Sequence, residues 1–442
     1  MSADSGVIKF GTDGWRAVIA DGFTFANLER VAQAYAEYLM GRNKPENRQI
    51  RAVIGYDRRF LSDQFALRAA EVLYGNNVRV SLFREPVPTP LVSWAVKELR
   101  ADGGVVITAS HNPPHFNGFK IKAHWGGSAS GEITAVVESL LDYRAPQVRH
   151  LDSHNDAELA AVETNYRSQL CSYVDIARLK SAAHSVVVDA MHGSAGDWIE
   201  RLLTGGALHI ETIRGARDAL FGGVNPEPID SNLEPLKKRV TETGSAGSGH
   251  DGDADRVGAV NELGETMTMH EVVPLMLLHL AERRGMRGGV VRTISQSVLT
   301  KRIAADFNLP LYETPIGFKY IADLMLREDI LIGAEESGGI GVKGHIPERD
   351  GLLNSLLFLE AVISAGRTPS EMVREMHRRY GEFYWTARCP HRRRARPRIR
   401  VHTGSFASAR ICDAQSCRRG HDGRHQAFVC RRIVAAVSSV RH

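Results

Sequence analysis

Most of this 442-residue chain has almost no cysteine, since Cys171 is the only one before residue 386. A single cysteine cannot form a disulfide framework. The same stretch contains no Walker A loop, no Gly-x-Ser-x-Gly elbow and no Cys-x-x-Cys pair. The longest apolar run, near 272–280, is too short to span a bilayer, and the first fifteen residues lack a secretion-signal pattern. We therefore expect a soluble cytoplasmic protein.

The positive charge is concentrated at one end. The net charge is +5, but residues 386–442 contain fourteen arginines, two aspartates, four cysteines and no lysine or glutamate, so the preceding residues are net acidic. This tail also lacks leucine, methionine and tyrosine, which predicts disorder. Such an abrupt change is typical of a GC-rich gene translated in a wrong reading frame. The alternative is a basic arm for nucleic acid, which would normally also use lysine.

Apolar β-branched runs alternate with helix-like periodic segments, a pattern that predicts parallel α/β units. The patternless segment 145–155 predicts a first connection between domains, and strand-like runs at 186–189 and 288–291 begin a second and a third unit. Thr24 and Ser62 are expected to cap helices. We expect three similar modules without a fixed sequence period. The predicted domains are 1–150, 160–285 and 286–385, followed by the tail 386–442.

A polar turn after a strand presents one hydroxyl group. Residues 104–107 are predicted to form a buried strand, and Asn112 with the two prolines after it requires a turn. Ser110 therefore lies just beyond the carboxyl end of a strand, where open α/β sheets bind ligands. His111 and Lys120 are near enough in sequence to supply positive charge or protons. Taken alone, the pattern also fits a polar turn with a capping serine.

A short acidic loop predicts a divalent cation site. Asp251, Asp253 and Asp255 alternate on a tight Gly/Ala loop, and Mg²⁺ prefers a few carboxylates together with a phosphate oxygen. Counted from Asp251, Glu262 falls at position 12, where a calcium-binding EF-hand loop has its last ligand. The EF-hand interpretation is nevertheless rejected, because position 6 is Arg256 instead of glycine and the flanking segments are not predicted to be helical. The remaining alternative is a solvated acidic turn.

Three further segments offer groups suited to a phosphorylated sugar. Glu335 and Ser337 follow a strand-like run and supply a carboxylate and a hydroxyl for vicinal sugar hydroxyls, although a helix-entry turn is an alternative. His345 and Arg349 add donors and a cation nearby. Close to the amino terminus, a compact turn presents Arg16, which could hold a phosphate group in bidentate fashion.

The order and spacing of four segments resemble the motifs of the α-D-phosphohexomutase family. These segments are 11–16, 108–113, 251–256 and 335–339, and the resemblance covers roughly residues 7–385. It implies four domains around a central cleft, of which the first three share an α/β core. It also implies an isomerase that uses a phosphoserine and Mg²⁺, with glucose 1,6-bisphosphate as activator. Such an enzyme converts a hexose 1-phosphate into the 6-phosphate through a bisphosphate intermediate.

The resemblance also implies roles for individual residues. Ser110 resembles the phosphoserine, whose oxygen joins the three aspartates around Mg²⁺, and Lys120 is a candidate general acid or base. A phosphoserine beside three carboxylates would be repelled without a divalent ion. The candidate catalytic residues are Ser110, His111, Lys120 and Arg256. The metal ligands are Ser110, Asp251, Asp253 and Asp255. The candidate substrate-binding residues are Arg16, Gly317, Lys319, Glu335, Ser337, His345 and Arg349.

The substrate is expected to be glucose phosphate first and mannose phosphate second. The sugar loop ends in Gly339, where the dual glucose/mannose and the hexosamine branches usually carry histidine, whereas His345 and segment 314–319 resemble phosphoglucomutases.

The family's fourth domain carries an Arg-x-Ser-Gly-Thr-Glu-Pro loop that binds the non-transferring phosphate, and this sequence has no such motif. We therefore expect weak or absent mutase activity, since that loop orients the substrate. The alternative from another class is an inactive protein that binds a sugar phosphate or nucleic acid. The expected partner is a phosphosugar. A membrane partner is not expected, a nucleic-acid partner is not favoured, and the expected state is a monomer or a dimer.

Overall fold

The structure is a computed structural model of the chain. It describes residues 8–11, 13–42, 48–151 and 156–382. The predicted disordered tail, 386–442, lies outside these residues, as does Thr12. Within the described ranges the chain forms three α/β sheets, and no helix there is long and apolar enough to cross a bilayer.

The first sheet has five strands. They are β1 (Trp15–Val18), β2 (Arg51–Tyr56), β3 (Arg79–Leu82), β4 (Gly103–Ile107) and β5 (Phe116–Ala123). Their spatial order is β1-β5-β4-β2-β3, in which β2 pairs in parallel with β3 and β4 while β5 runs antiparallel to β4 and β1. The helices of this unit are α1 (Phe25–Gly41), α2 (Ser62–Gly75), α3 (Thr89–Glu98) and α4 (Gly131–Ser139).

One of the two predicted helix caps is confirmed. The Thr24 hydroxyl accepts a hydrogen bond from the Asn27 backbone N–H at 3.2 Å. The prediction for Ser62 is wrong, because the left-handed residue Leu61 (φ 58°) precedes α2 and Ser62 already lies inside the helix. The Ser62 hydroxyl instead donates to Asp57 at 2.8 Å, since a fully buried carboxylate needs donors more than the helix end does.

The second sheet repeats this plan. Its strands are β6 (Ser185–Asp189), β7 (His209–Ile213), β8 (Ala246–His250), β9 (Val257–Val260) and β10 (Thr266–Met267), in the order β10-β9-β8-β6-β7. Its helices are α5 (Asp156–Tyr173), α6 (Ile176–Ser181), α7 (Trp198–Leu203) and α8 (Glu234–Thr243).

The third sheet has four strands. They are β11 (Gly289–Thr293), β12 (Leu311–Thr314), β13 (Ile330–Ala334) and β14 (Ile340–Val342), in the order β12-β11-β13-β14. The accompanying helices are α9 (Met269–Leu278), α10 (Val298–Asp306), α11 (Phe318–Arg327), α12 (Gly351–Ala365) and α13 (Pro369–Tyr380). Helix α9 packs against α10, α12 and α13. The predicted boundary at 285/286 stays a prediction. Helix α12 is buried along most of its length and also contacts α5, α7 and β9, joining the second and third units.

All three sheets share one connectivity, which confirms the prediction of three similar α/β units. In each sheet the first parallel strand pairs with the second and the third, and the third pairs with an antiparallel fourth strand. The turns β4–β5, β8–β9 and β13–β14 therefore occupy equivalent places. These are the turns that carry Ser110, the acidic loop and Glu335.

Candidate active site

Ser110 lies in the β4–β5 turn and is almost fully buried, with a left-handed backbone (φ 51°). Its backbone N–H donates to the Thr108 hydroxyl at 2.8 Å. Its Oγ donates to Asp251 Oδ2 at 2.8 Å and lies 3.4 Å from His111 Nδ1. The turn therefore directs the serine hydroxyl at the acidic loop of the second unit.

The three aspartates of the β8–β9 turn form one cluster. Asp251, Asp253 and Asp255 are fully buried, and one carboxylate oxygen from each lies within 4.8 Å of the others. Among the described residues, Asp253 Oδ1 and Asp255 Oδ1 have no hydrogen-bond partner. Buried, unpartnered carboxylate oxygens beside a hydroxyl are a donor set that suits Mg²⁺. The residues present therefore fit the expected metal.

Glu262, the residue that an EF-hand would need, lies elsewhere. Its carboxylate accepts a hydrogen bond from the Ser370 backbone N–H at 3.2 Å. The loop is also flanked by strands β8 and β9. These contacts agree with the rejection of the calcium alternative.

Lys120 balances the acidic cluster from strand β5. Its Nζ lies 2.9 Å from Asp13 Oδ2, 3.1 Å from Asp253 Oδ2 and 2.8 Å from Asp255 Oδ2, and its side chain is buried. Burial by itself lowers the pKa of a lysine, but here the three carboxylates outweigh burial and raise the pKa of Lys120. Lys120 is therefore a charged ammonium in this arrangement.

The other ionisable groups around Ser110 are shifted in different directions. Burial, reinforced by the two neighbouring aspartates, raises the pKa of Asp251. For Asp253 burial is opposed and outweighed by Lys120, so its pKa is lowered. Burial, with Arg256 and Arg16, lowers the pKa of His111 to about 2. The imidazole next to Ser110 is therefore neutral at physiological pH.

A cavity of about 500 Å³ lies directly beside the Ser110 turn, and residues of all three units line it. Its cationic lining residues are Lys9, Arg16, Arg256, Lys319 and Arg349. His111, Gly317 and Glu335 also line it. This excess of positive charge suits an anionic, phosphate-bearing ligand.

Two residues of the sugar loop take different positions. Glu335 is buried at the cavity wall, and burial raises the pKa of its carboxyl. Ser337 is exposed on the same loop and is not among the residues that line the cavity. The geometry therefore brings Glu335, but not Ser337, to the predicted substrate site.

Arg349 connects the sugar loop with the acidic cluster. Its Nη2 lies 2.6 Å from Asp13 Oδ2 and 3.0 Å from Asp255 Oδ2, and its guanidinium lies over the Phe318 ring at 5.4 Å. A Cβ on Gly339 would approach Arg349 Cδ to 2.5 Å. Glycine at this position therefore leaves the space that Arg349 occupies.

The structure does not bring His345 to the cavity. Its ring is buried and stacks on Trp94, with 5.7 Å between centroids. Its Nε2 lies 2.8 Å from Asp350 Oδ2, and the other carboxylate oxygen of Asp350 caps helix α12. These contacts are structural, and we leave His345 out of the proposed site.

Sequence reasoning missed three charged residues next to the site. Asp13 contacts both Lys120 and Arg349, Glu348 accepts from the buried Lys122 at 2.6 Å, and Arg59 bonds the backbone of the Ser110 turn. Arg59 was indicated by its place after strand β2, at the same sheet edge as Ser110, and Asp13 by the motif segment 11–16, although that segment does not specify its partners. The other two contacts join residues far apart in the chain.

Three sequence profiles of phosphoglucomutase/phosphomannomutase match the chain in order. Residues 7–146 match α/β/α domain I, 164–264 match domain II and 269–380 match domain III.

Similar proteins carry several substrate names. A phosphoglucosamine mutase from Thermobifida fusca is 31% identical, covering 84% of this chain and 81% of its own length. A phosphoglucomutase/phosphomannomutase from Thermococcus kodakarensis is 28% identical over 84% of this chain and 80% of its own. A crystal structure of a provisionally named phosphomannomutase from Thermus thermophilus is 37% identical, with a TM-score of 0.79, and the match covers 86% of this chain and 85% of that one.

Proposed function

Because this chain belongs to the phosphoglucomutase/phosphomannomutase family, within the α-D-phosphohexomutases, we propose that it interconverts α-D-glucose 1-phosphate and glucose 6-phosphate. The observation that carries the proposal is the placement of Ser110. Its hydroxyl is hydrogen-bonded to Asp251 of a buried three-aspartate cluster, and the next two residues of its turn, His111 and Asn112, line a cationic cavity. Mannose phosphate is the second candidate substrate, supported by the name of the T. thermophilus structure.

Ser110 carries and exchanges the phosphoryl group in this proposal. In the first half-reaction the bond from phosphorus to Ser110 Oγ breaks and a bond to O6 of glucose 1-phosphate forms, while the hydroxyl proton is passed on to the serine oxygen. In the second, Ser110 Oγ takes the phosphoryl group from O1 of the bisphosphate, and O1 gains the proton. Phosphoryl transfer of this kind depends on positioning and charge neutralisation.

The acidic loop would hold Mg²⁺ through Asp251, Asp253, Asp255 and an oxygen on Ser110. When bound, the ion neutralises charge on the phosphoryl group. Lys120 holds its proton at Nζ, so it begins as a hydrogen-bond donor or a general acid and not as a base. The neutral His111 adds a nearby ring nitrogen without adding charge.

The remaining lining residues bind the sugar phosphate. Arg16, Arg256 and Lys319 supply positive charge from the first, second and third units. Gly317 precedes helix α11, so the phosphate-bearing end of a ligand there would also meet a helix amino terminus. Glu335 presents a carboxylate for the sugar hydroxyls. The expected cytoplasmic location and the monomeric or dimeric state stay predictions.

The substrate is tested by incubating the purified full chain with Mg²⁺ and glucose 1,6-bisphosphate. Glucose 1-phosphate, mannose 1-phosphate and glucosamine 1-phosphate are supplied in parallel, because the names of similar proteins include all three sugars. We expect the highest kcat/KM for the glucose compound. A higher value for glucosamine 1-phosphate would overturn the glucose assignment while leaving the mutase proposal intact.

Mass spectrometry of the Ser110 peptide distinguishes a mutase from a protein that only binds a sugar phosphate or nucleic acid. A mutase incorporates one phosphate at Ser110 from glucose 1,6-bisphosphate. An inactive sugar-phosphate- or nucleic-acid-binding protein does not. A phosphorylated Ser110 supports the mutase proposal even where turnover is weak.

A further inference from the structure

Arg59 has an unusually complete set of contacts for a buried cation. It is fully buried, and all five of its N–H donors have an acceptor. Its Nε bonds Asp57 at 3.1 Å, and the four other donors bond four backbone carbonyls at 2.6–3.1 Å. Those carbonyls belong to Ser110, Asn112, Pro113 and Phe116.

Three of these four carbonyls lie in the β4–β5 turn, and the fourth belongs to Phe116, the first residue of β5. Ser110 has a left-handed backbone there, a conformation that residues with a Cβ adopt only when surrounding contacts enforce it. The nearest enforcing contact is the 2.6 Å hydrogen bond from Arg59 Nη2 to the Ser110 carbonyl. The planar, five-donor fork is specific to arginine, because lysine has three donors on one point charge.

The second α/β unit covers the Arg59 guanidinium. The buried Phe221 ring lies 5.0 Å from Arg59 Cζ, and Arg217 Nη2 donates to the Arg59 carbonyl at 3.2 Å. Phe221 itself has a positive φ of 52°, followed by Gly222 at 65° and Gly223 at 81°. The Phe221 ring therefore reaches the first unit from a tight turn of the second unit. The unit that supplies Asp251 thus also braces the turn that supplies Ser110.

We infer that Arg59 is a positioning residue for phosphoryl transfer, which fixes the Ser110 turn so that Oγ points at Asp251, and that Phe221 holds Arg59 in place from the second unit. The inference rests on the proposed function. Arg59 does not touch the reacting atoms, since its bonds go to Asp57 and to backbone carbonyls. Its effect is on the orientation of the nucleophile.

The test compares Arg59→Lys and Phe221→Leu with wild type in the full chain. We expect Arg59→Lys to lower kcat by about 10- to 100-fold with little change in KM for glucose 1-phosphate. A misplaced Ser110 hydroxyl slows phosphoryl transfer but does not weaken substrate binding. Phe221→Leu should also lower kcat, but by a smaller factor than Arg59→Lys. Hydrogen exchange of the amides in 108–118 should accelerate in both variants while the rest of the protein is unchanged.

Arg58→Lys is the matched control. Arg58 is adjacent and also bonds the second unit, through the Gly215 carbonyl at 2.6 Å, but it makes no hydrogen bond to the Ser110 turn. It should leave both kcat and the exchange of 108–118 unchanged.

The inference would be overturned if a folded Arg59→Lys variant showed unchanged hydrogen exchange in 108–118. It would also be overturned if Arg58→Lys lost as much kcat as Arg59→Lys. If Arg59→Lys does not fold, the Phe221→Leu variant decides: unchanged hydrogen exchange of 108–118 in that variant would contradict the inference. If wild type shows no mutase turnover, the proposed function fails, while the exchange measurement still decides whether Arg59 holds the turn.

Discussion

Ser110 Oγ donates a 2.8 Å hydrogen bond to Asp251 Oδ2, across 141 positions of the sequence. The two residues lie in equivalent turns of the first and second sheets. Each turn follows the carboxyl end of a parallel strand, where open α/β sheets bind ligands, and the contact between the two turns brings a hydroxyl to the acidic loop. The same geometry repeats at Glu335 in the third sheet.

Replacing Ser110 by glycine or alanine separates its chemical role from its backbone role. Both variants should lose phosphate incorporation completely in a mass-spectrometric assay with glucose 1,6-bisphosphate. The free energy of unfolding of Ser110→Gly should exceed that of Ser110→Ala by about 1 kcal/mol, since a Cβ in the left-handed region costs roughly that much. Full phosphate incorporation in Ser110→Ala would show that another residue is the acceptor.

The sequence predicts those parts of the fold and site that local patterns determine. Ser110 sits in a polar turn shortly after the apolar strand β4, so its place at a sheet edge follows from that strand, and the alternating aspartates at 251–255 indicate the cation site by themselves. The α/β repeat follows from alternating strand and helix patterns.

Contacts between distant segments could not be predicted in this way. The pairing of Asp13 with Arg349 joins residues 336 apart, and nothing in either segment specifies the partner. His345 illustrates the opposite error, because a histidine among charged residues resembles a ligand group until Trp94 is found stacked on it. Ser337 is on the predicted loop but is exposed away from the cavity lining, which depends on the turn geometry at Gly338 (φ 92°).

Lys120→Met should destabilise the metal-free protein strongly. The substitution keeps an apolar stem but leaves Asp13, Asp253 and Asp255 without their shared cation. Removing one partner of a buried ion pair typically costs about 3–5 kcal/mol. Urea unfolding in EDTA should show a loss of this size, and added Mg²⁺ should recover part of it by supplying positive charge.

Lys9→Met is the control for that experiment. Lys9 lines the same cavity but is exposed, so its removal should leave the free energy of unfolding unchanged. An equally small effect for Lys120→Met would contradict the assignment of Lys120 as the balancing cation.

Gly339→Ala tests whether Arg349 needs the space above this glycine. The added Cβ would meet Arg349 Cδ at 2.5 Å and Glu335 Oε2 at 3.0 Å. Arg349 cannot easily move aside, because Asp13 and Asp255 hold its guanidinium. We expect a stability loss of about 1–3 kcal/mol, as for other overpacked sites, and a raised KM for glucose 1-phosphate. Gly41→Ala, where a Cβ at the end of helix α1 meets nothing within 4 Å, should not lower stability and should leave the KM unchanged.

Glu348→Gln should change the pH dependence of stability. Glu348 is buried and accepts hydrogen bonds from Lys122 Nζ at 2.6 Å and from the Arg349 backbone N–H at 3.0 Å. Burial acts to raise the pKa of Glu348, but Lys122 and Arg349 outweigh it and lower the pKa to about 2. A carboxyl with a lowered pKa stabilises the fold when ionised, so its contribution is complete above the unfolded pKa of about 4.3 and is lost as pH falls toward 2.

That contribution is about 3 kcal/mol, because each pKa unit corresponds to about 1.4 kcal/mol. Glutamine cannot ionise, so the difference in unfolding free energy between wild type and Glu348→Gln should be constant from pH 7 to 5 and shrink steadily between pH 4 and 3. The exposed Glu132→Gln variant should show a small difference without this decline. A wild-type advantage that stays constant down to pH 3 would mean that Lys122 and Glu348 do not form the buried ion pair that links the first and third units.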